Sequence, residues 1–587
     1  MKRIIIVLLS IILSLFLFLK FNLNNLVLIL LMISNYFIIG HTIKVSSKKN
    51  NNKIIIISFI FSIIYIMCDS INKTDMIDII NNRLLLNISG YSILIYVLLT
   101  NLFNFLDNYS FKNKNINFFN KNILDDSKFS FILIFLFIFL IDFIFLLKYY
   151  PGNLTYDSYN QISQSIGVTK LINNHPVLHT TFIMIFTRIG LLFNNISIGV
   201  FLYSIVQIII YSLFCSYVIK IESKYKVNIY IRILTLLLFM FHPINIIYSF
   251  TMWKDIIFSI VFCIFSIYIY EYNKDINFFN KKKNTILFIL LSLLTMYLRN
   301  NAVYVVILTL LILTIMDRRI FKIFISVFIL YFLSKTIIFK ALSIDSSSAR
   351  EMFSFPSQSI ARIYKYDYDS LSENEISLIE SYYSNEVGNL YLSYISDPVK
   401  NIFNEERFKE NKLEYLKLNI DLLKKYPKRY LESFIAGSYG YYYLEVDYHS
   451  IDIGTASELG VTKKPMISNN VLYIFIGIIT LFIGYITFIN IKNKKNLLYL
   501  LLLIPALLSI DLNVIKSSTF MNIGFYSVMM LILFIYNIIN KKNYKIFIPA
   551  FILFLTILLS PVFSEFRYLY AVFLLFPFYI GISMKDN

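Results

Sequence analysis

The chain has 587 residues, of which 58% are hydrophobic and 15% charged, and its formal net charge is +19. Apolar runs of about eighteen residues or more recur along the sequence, which excludes a soluble multidomain protein. Lysines and arginines cluster in the short loops between these runs, so the positive charge predicts cytoplasmic loops of a membrane protein and no nucleic-acid partner. The three cysteines have neither disulfide nor metal-ligand spacing.

The apolar runs predict an all-α polytopic membrane protein with about sixteen transmembrane helices. The predicted spans are 4–19, 25–42, 54–68, 84–105, 129–148, 196–219, 230–248, 256–272, 284–298, 302–316, 320–340, 470–490, 497–513, 519–540, 545–562 and 567–583. With Met1 in the cytoplasm, the basic loops all fall on the cytoplasmic side: 44–53, 112–121, 220–226, 281–283, 317–322, 492–495 and 541–545. We therefore predict a multi-pass plasma-membrane protein with both termini in the cytoplasm.

The spans and loops divide the chain into four predicted regions. These are an N-terminal four-span region (1–128), a membrane core (129–340) with a first external loop at 149–195, an extracytoplasmic domain (341–469) and C-terminal spans (470–587). The third region carries 19 acidic and 14 basic residues, whereas the rest of the chain has a net charge of about +24. This contrast favours a folded external domain, and its spacing of apolar residues predicts helices, including 371–383 and 405–426.

A polar stretch in the first external loop contains the most informative residues. Thr155 is a plausible N-cap of a short helix that would place Asp157, Gln161 and Gln164 on one face. His175-Pro176 predicts the start of a second helix, because proline is favoured in a first turn. An ordinary solvated loop between two spans is the alternative interpretation.

Further polar residues are predicted on the same side of the membrane as Asp157. Asp157 is a candidate general base, and four cations are candidates for holding a phosphate group: Lys254, Arg299, Arg362 and Arg567. Four residues are candidates for further contacts with a substrate: Gln161, His175, Asp255 and Glu565.

Each candidate also has a simpler explanation. A cation at a span end often only reaches for lipid headgroups, and Trp253-Lys254-Asp255 is also typical of an interfacial anchor. His175 and His179 have the spacing of metal ligands, but capping or hydrogen bonding is the more common role, so no metal site is predicted. Asp142 lies inside a predicted span, where an acid is a functional candidate by default.

The sequence around Asp157 and His175 resembles that of the GT-C superfamily of membrane glycosyltransferases. The resemblance rests on Asp157 in TYDSYNQ and on His175-Pro176 in NNHPVLHT, and it extends over about 129–583. Ser158 stands where many members have a second acid, and Val177 stands where a second proline is common. These departures leave the acceptor chemistry and any divalent metal open.

The resemblance implies a GT-C-like fold and a polyprenyl-phosphate-linked sugar as donor. It implies transfer on the extracytoplasmic side, with Asp157 as the base and an acceptor in the cell envelope. Two alternatives remain: a transporter or lipid flippase, which would have inverted repeats and broken spans, and a polysaccharide polymerase or ligase, which would use a late external loop rich in arginine and histidine.

Overall fold

The computed structural model is helical, and no β-strand occurs among the residues that it describes. These are residues 2–584 without 47–50, 79–82, 109–123, 346, 447–453, 455–456, 463, 469, 473, 476, 479–520 and 561. Within this part, nine helices are long and apolar enough to cross a membrane, or ten if one bent pair forms a single span. The protein is therefore a multi-pass helical membrane protein.

Four helices form the N-terminal region: α1 (Lys2–Phe21), α2 (Asn25–Val45), α3 (Asn51–Thr74) and α4 (Leu84–Asn108). α1 packs against α2 and α4, and α3 packs against α4. Phe16 lies so close to Gly90 that a Cβ at this glycine would be 2.2 Å from the ring. Large apolar side chains such as Leu26 and Leu85 stay exposed, as expected of a surface that faces lipid.

The central region contains ten helices: α5 (Lys128–Lys148), α6 (Tyr156–Ser165), α7 (Val177–Leu192), α8 (Ile196–Lys224), α9 (Ile229–Phe241), α10 (Pro243–Ser249), α11 (Lys254–Lys274), α12 (Lys282–Leu298), α13 (Ala302–Met316) and α14 (Phe321–Ala341). α5 and α7 both pack along α8, and α11 packs against α12. The external loop predicted at 149–195 thus contains two helices, of which α7 is apolar and lies against a candidate span.

The predicted span at 230–248 is bent. α9 and α10 meet at an angle of 55° around His242. Pro243 has no N–H to continue the hydrogen-bond ladder of α9, and its ring crowds the preceding turn, which explains the break.

Residues 354–438, which follow α14, fold into six helices: α15 (Ser354–Tyr366), α16 (Glu373–Tyr382), α17 (Asp397–Asn401), α18 (Glu405–Glu410), α19 (Lys412–Lys425) and α20 (Pro427–Ser438). They enclose their own apolar core around Ile360, Ile379 and Tyr415. The helix predicted at 405–426 is divided at Asn411, and Pro427 begins α20 after it.

The C-terminal part contributes α21 (Ile523–Ile539), α22 (Phe547–Leu558) and α23 (Tyr570–Ser583). α23 is almost fully buried and packs against α9, α11 and α21, so the end of the chain completes the central core. The predicted spans at 470–490 and 497–513, and the basic loops at 112–121 and 492–495, lie largely or wholly outside the described residues. The total of sixteen spans therefore stays a prediction.

A buried ion-pair network joins the six-helix domain to the end of α3. Arg362 of α15 is fully buried and lies 3.2 Å from Glu432 and 3.3 Å from Asp75. It also donates a hydrogen bond of 2.6 Å to the Tyr391 hydroxyl. Charges removed from water need such partners, so this arginine is a structural link.

We expect Arg362→Leu to loosen the domain, because it removes the guanidinium that joins Glu432 to Asp75 and leaves the buried Glu432 carboxylate with Arg429, at 2.9 Å, as its remaining guanidinium. Breaking a buried pair costs about 3–5 kcal/mol, which corresponds to at least a roughly 10²-fold faster tryptic cleavage within residues 349–441 of the detergent-solubilised chain.

The matched control is Arg350→Leu, since Arg350 is partly exposed and pairs only loosely with Glu351, at 3.8 Å. Equal cleavage rates in the two variants would contradict the structural role of Arg362.

Candidate functional site

The first turn of α6 is fixed to the segment that leads into α11. Thr155 is the N-cap, and the Ser158 hydroxyl accepts a hydrogen bond of 3.0 Å from the Thr155 N–H. The same hydroxyl donates one of 2.6 Å to the Met252 carbonyl, two residues before Lys254. The helix predicted from Thr155 is confirmed, and α7 begins directly after His175-Pro176 as expected.

Asp157 lies between two cations that come from distant parts of the sequence. Its Oδ2 atom is 3.0 Å from Nζ of Lys254 and 2.9 Å from Nη1 of Arg567. The three side chains remain 16–18% exposed, so a ligand can reach them. His175 completes the group, with its Nδ1 atom 3.3 Å from Nζ of Lys254.

A second, deeper ion pair lies beside the first. Asp255, next to Lys254 in the chain, has Oδ1 at 3.3 Å from Nη1 of Arg299. The Asp255 side chain is fully buried and that of Arg299 is 8% exposed. Arg299 also donates a hydrogen bond of 3.1 Å to the carbonyl of Tyr568, the neighbour of Arg567.

Two aromatic residues that were not among the sequence-predicted site residues pack against the arginines. The Arg567 guanidinium lies 4.8 Å from the Trp253 ring centroid and 5.0 Å from that of Tyr568. Arg299 lies 4.8 Å from the same tyrosine ring, and the Trp253 indole N–H donates to the Thr155 hydroxyl. The signal was available, because each aromatic residue directly adjoins a candidate cation. Stacking of this kind fixes the direction in which a guanidinium points.

The charges around Asp157 decide its protonation state. Burial on its own raises the pKa of Asp157, but the nearby Lys254 and Arg567 outweigh burial and hold this pKa below its ordinary value. Burial and the Lys254 charge lower the pKa of His175 to about 4. At neutral pH the group therefore contains an ionised carboxylate, two cations and a neutral imidazole, an arrangement that can receive an anion if Asp157 releases its cations.

Gln161 lies inside the protein and does not face the ion pairs. It is fully buried, donates a hydrogen bond of 2.9 Å to the Thr180 hydroxyl, and lies 3.1 Å from Nδ1 of His179. His179 contacts the Tyr203 hydroxyl through Nε2, at 2.7 Å. Gln161 thus joins α6 to α7, which corrects the expectation that it faces a substrate together with Asp157.

The two remaining candidates are placed differently. Glu565 is 40% exposed, and its Oε2 atom lies 3.6 Å from Nε of Arg567, so it borders the group. Arg362 belongs to the network with Asp75 and Glu432 described above. The structure thus places its guanidinium outside the group around Asp157, where the buried Glu432 and the partly exposed Asp75 neutralise its charge.

The described residues contain no group of three or more His, Cys, Asp or Glu side chains that could hold a metal ion. Asp157 and Asp255 each face cations, and His175 faces Lys254. These side chains do not fit a divalent cation, because Lys254, Arg299 and Arg567 already supply the positive charge.

The protein belongs to a family of unknown function, DUF6020, whose model matches residues 165–586. The matched range includes His175, Lys254, Arg299 and Arg567, whereas Asp157 lies just before it. No curated protein and no solved structure matches the chain significantly.

We expect His175 to make the protein less stable as the pH falls from about 6.5 to about 4. The unfolded chain takes up a proton at this histidine first, because the pKa of His175 is about 4 in the folded protein and 6.5 otherwise. The difference amounts to about 3 kcal/mol at most.

The measurement is thermal unfolding of wild type and His175→Gln between pH 7 and pH 4. Other titrating groups act on both proteins, so the wild type should lose more stability than the variant over this interval. Parallel curves would show that His175 is not held neutral.

Proposed function

We propose that this DUF6020 member is a membrane glycosyltransferase. It transfers a sugar from a polyprenyl-phosphate-linked donor to a cell-envelope acceptor on the extracytoplasmic side of the plasma membrane. The proposal includes the sixteen-span topology with both termini in the cytoplasm, and it assigns the external side to the site around Asp157.

One observation supports this function best. Asp157, His175, Lys254 and Arg567 come from four separate segments and meet in a half-buried group. Transfer from a lipid phosphate requires a carboxylate base close to cations that stabilise a departing phosphate. The group supplies both, at the ends of helices in a membrane protein.

The reaction can be written with these side chains. The acceptor hydroxyl gives its proton to Asp157, and its oxygen forms a bond to the anomeric carbon of the sugar. The bond between this carbon and the phosphate oxygen breaks, and polyprenyl phosphate leaves with its new negative charge next to Lys254 and Arg567.

The ion pairs of Asp157 set a condition on this chemistry. A carboxylate whose pKa is held low by two cations is a weak base. The phosphate group of the donor competes for the same two cations, and its own negative charge raises the pKa of a nearby carboxylate. In this proposal, donor binding therefore turns Asp157 into an effective base.

A transporter or flippase is the second candidate, and one feature favours it. Broken helices beside buried acids are typical of transport sites. The α9–α10 bend meets this description, because Asp142 of α5 is fully buried and close to Ser249 of α10.

We expect Asp157→Asn to fold and insert normally but to lower sugar transfer by roughly 10²-fold or more, the scale for loss of a general base. Transfer is measured as incorporation of labelled sugar from polyprenyl-phosphate donors, at equal amounts of protein in the membrane. Asp369→Asn is the control, since it makes the same change at an exposed position.

Arg299→Ala separates the two ion pairs in the same assay. If Arg299 only held the donor phosphate, its loss would weaken donor binding, but its burial with Asp255 predicts loss of folded protein instead. Sugar transfer by Asp157→Asn at the wild-type rate would show that Asp157 takes no part in the mechanism. No transfer by the wild type across a broad panel of donors would favour the transporter.

The proposed topology is tested by cysteine labelling of intact cells. A membrane-impermeant reagent should reach a cysteine at Ser384, in the six-helix domain, but not one at Lys282, the first residue of α12. The native cysteines Cys68, Cys215 and Cys263 are buried and give a low background. The opposite labelling pattern would place the Asp157 site on the cytoplasmic side and end the proposal.

A further inference from the structure

Helix α19 of the six-helix domain has two apolar faces. One face packs into the domain core through Tyr415, Leu418 and Leu422. The other carries four exposed side chains with spacings of three, four and three residues: Leu413 (82% exposed), Leu416 (46%), Ile420 (52%) and Leu423 (46%). This spacing aligns them in a single stripe along the helix, and we call it the α19 stripe.

Lysines border the α19 stripe on both sides. At about 100° per residue, Lys412 falls on one edge, whereas Lys417 and Lys424 fall on the other. All three lysines are exposed. The acids of the helix, Glu414 and Asp421, lie farther round, beyond the second lysine edge. The surface on both sides of the stripe is therefore basic, although residues 341–469 carry 19 acidic and only 14 basic residues.

We propose that the α19 stripe lies on the surface of the membrane, with its leucines and isoleucine between anionic lipid headgroups. An exposed apolar face bordered by lysines is the pattern of helices that lie in a membrane interface. The long lysine side chains can extend along the apolar surface and bring their charges to the headgroups.

The composition of the stripe argues against a protein partner. Protein interfaces are enriched in aromatic residues, methionine and arginine, and lysine is depleted there. The α19 stripe has leucine and isoleucine only, and its borders have lysine only. A membrane span also precedes this domain directly in the sequence. The candidate span that contains α14 ends at Ala341, shortly before the domain begins.

This contact would support the domain at a second place. Arg362 already joins it to the end of α3, and α20 packs against α3 and α22. The proposal does not depend on glycosyl transfer, so it stands or falls separately from the proposed function.

The test uses the full chain in vesicles, with an environment-sensitive fluorophore on Ile420→Cys. The control label is on Ser377→Cys, which is also exposed but lies on α16 of the same domain. In vesicles of phosphatidylcholine and phosphatidylglycerol, nitroxide-labelled headgroups should quench the Ile420→Cys label several-fold more than the control label. Aqueous iodide should quench the two labels in the opposite order.

Charge is tested by combining Lys412→Gln, Lys417→Gln and Lys424→Gln. This triple change should reduce lipid quenching of the Ile420→Cys label in vesicles with phosphatidylglycerol, and should change it little in phosphatidylcholine alone. Equal lipid quenching of the two labels would overturn the proposal. Shielding of the Ile420→Cys label from iodide without lipid quenching would also overturn it, because a protein, such as a second copy, would then cover the stripe.

Discussion

The site depends on a single carboxylate oxygen that faces two cations. Oδ2 of Asp157 contacts both Lys254 and Arg567, and these three residues come from the start of α6, the start of α11 and the turn before α23. Charges that are mostly withdrawn from water are costly unless they are paired. The fold thus brings together helix ends from distant parts of the sequence. Asp157 and Arg567 are 410 positions apart.

The two ion pairs differ in what they allow. Taken together with the Asp255–Arg299 pair and the bordering Glu565, the group around Asp157 has three cations and three carboxylates, so the formal charge of the whole set is zero. An anion can enter only if a carboxylate gives up a cation. The buried Asp255–Arg299 pair is poorly placed to open, because opening leaves an unpaired charge in the protein. The partly exposed pairs of Asp157 can exchange a carboxylate for a phosphate at lower cost.

Local features of the sequence predicted much of this site. The cap at Thr155, the helix after His175-Pro176 and the charged residues at span ends all follow from rules that act over a few residues. Such rules predict which helix ends carry charge. They also predict that a membrane protein will gather these charges away from lipid.

Other placements depend on contacts between distant segments, and the sequence could not supply them. Asp157 and Gln161 share a helix face in a projection, yet α7 covers Gln161 and leaves Asp157 accessible. In the sequence, Arg362 cannot be distinguished from the other arginines predicted on the external side. Its contact with the distant Asp75, which the structure shows, makes the difference. The residues at 405–426 have helical spacing throughout, and only the packed structure divides them at Asn411.

The polar contacts also constrain the relative directions of the helices. At one end of the helices, Lys20 in the last turn of α1 pairs with Glu445, and Arg362 pairs with Asp75 after α3. These residues all fall on the side that the span pattern assigns to the outside.

At the other end of the helices, Lys224 of α8 pairs with Glu271 of α11, and Asp107 of α4 pairs with Lys542 after α21. All four fall on the side assigned to the cytoplasm. If one helix crossed the membrane in the direction opposite to the predicted one, an ion pair at its end would join a residue predicted outside to a residue predicted in the cytoplasm. Each of these four ion pairs joins two residues predicted on the same side. The contacts thus support the alternation of the described helices, and the direction of the whole set rests on the lysine-rich loops alone.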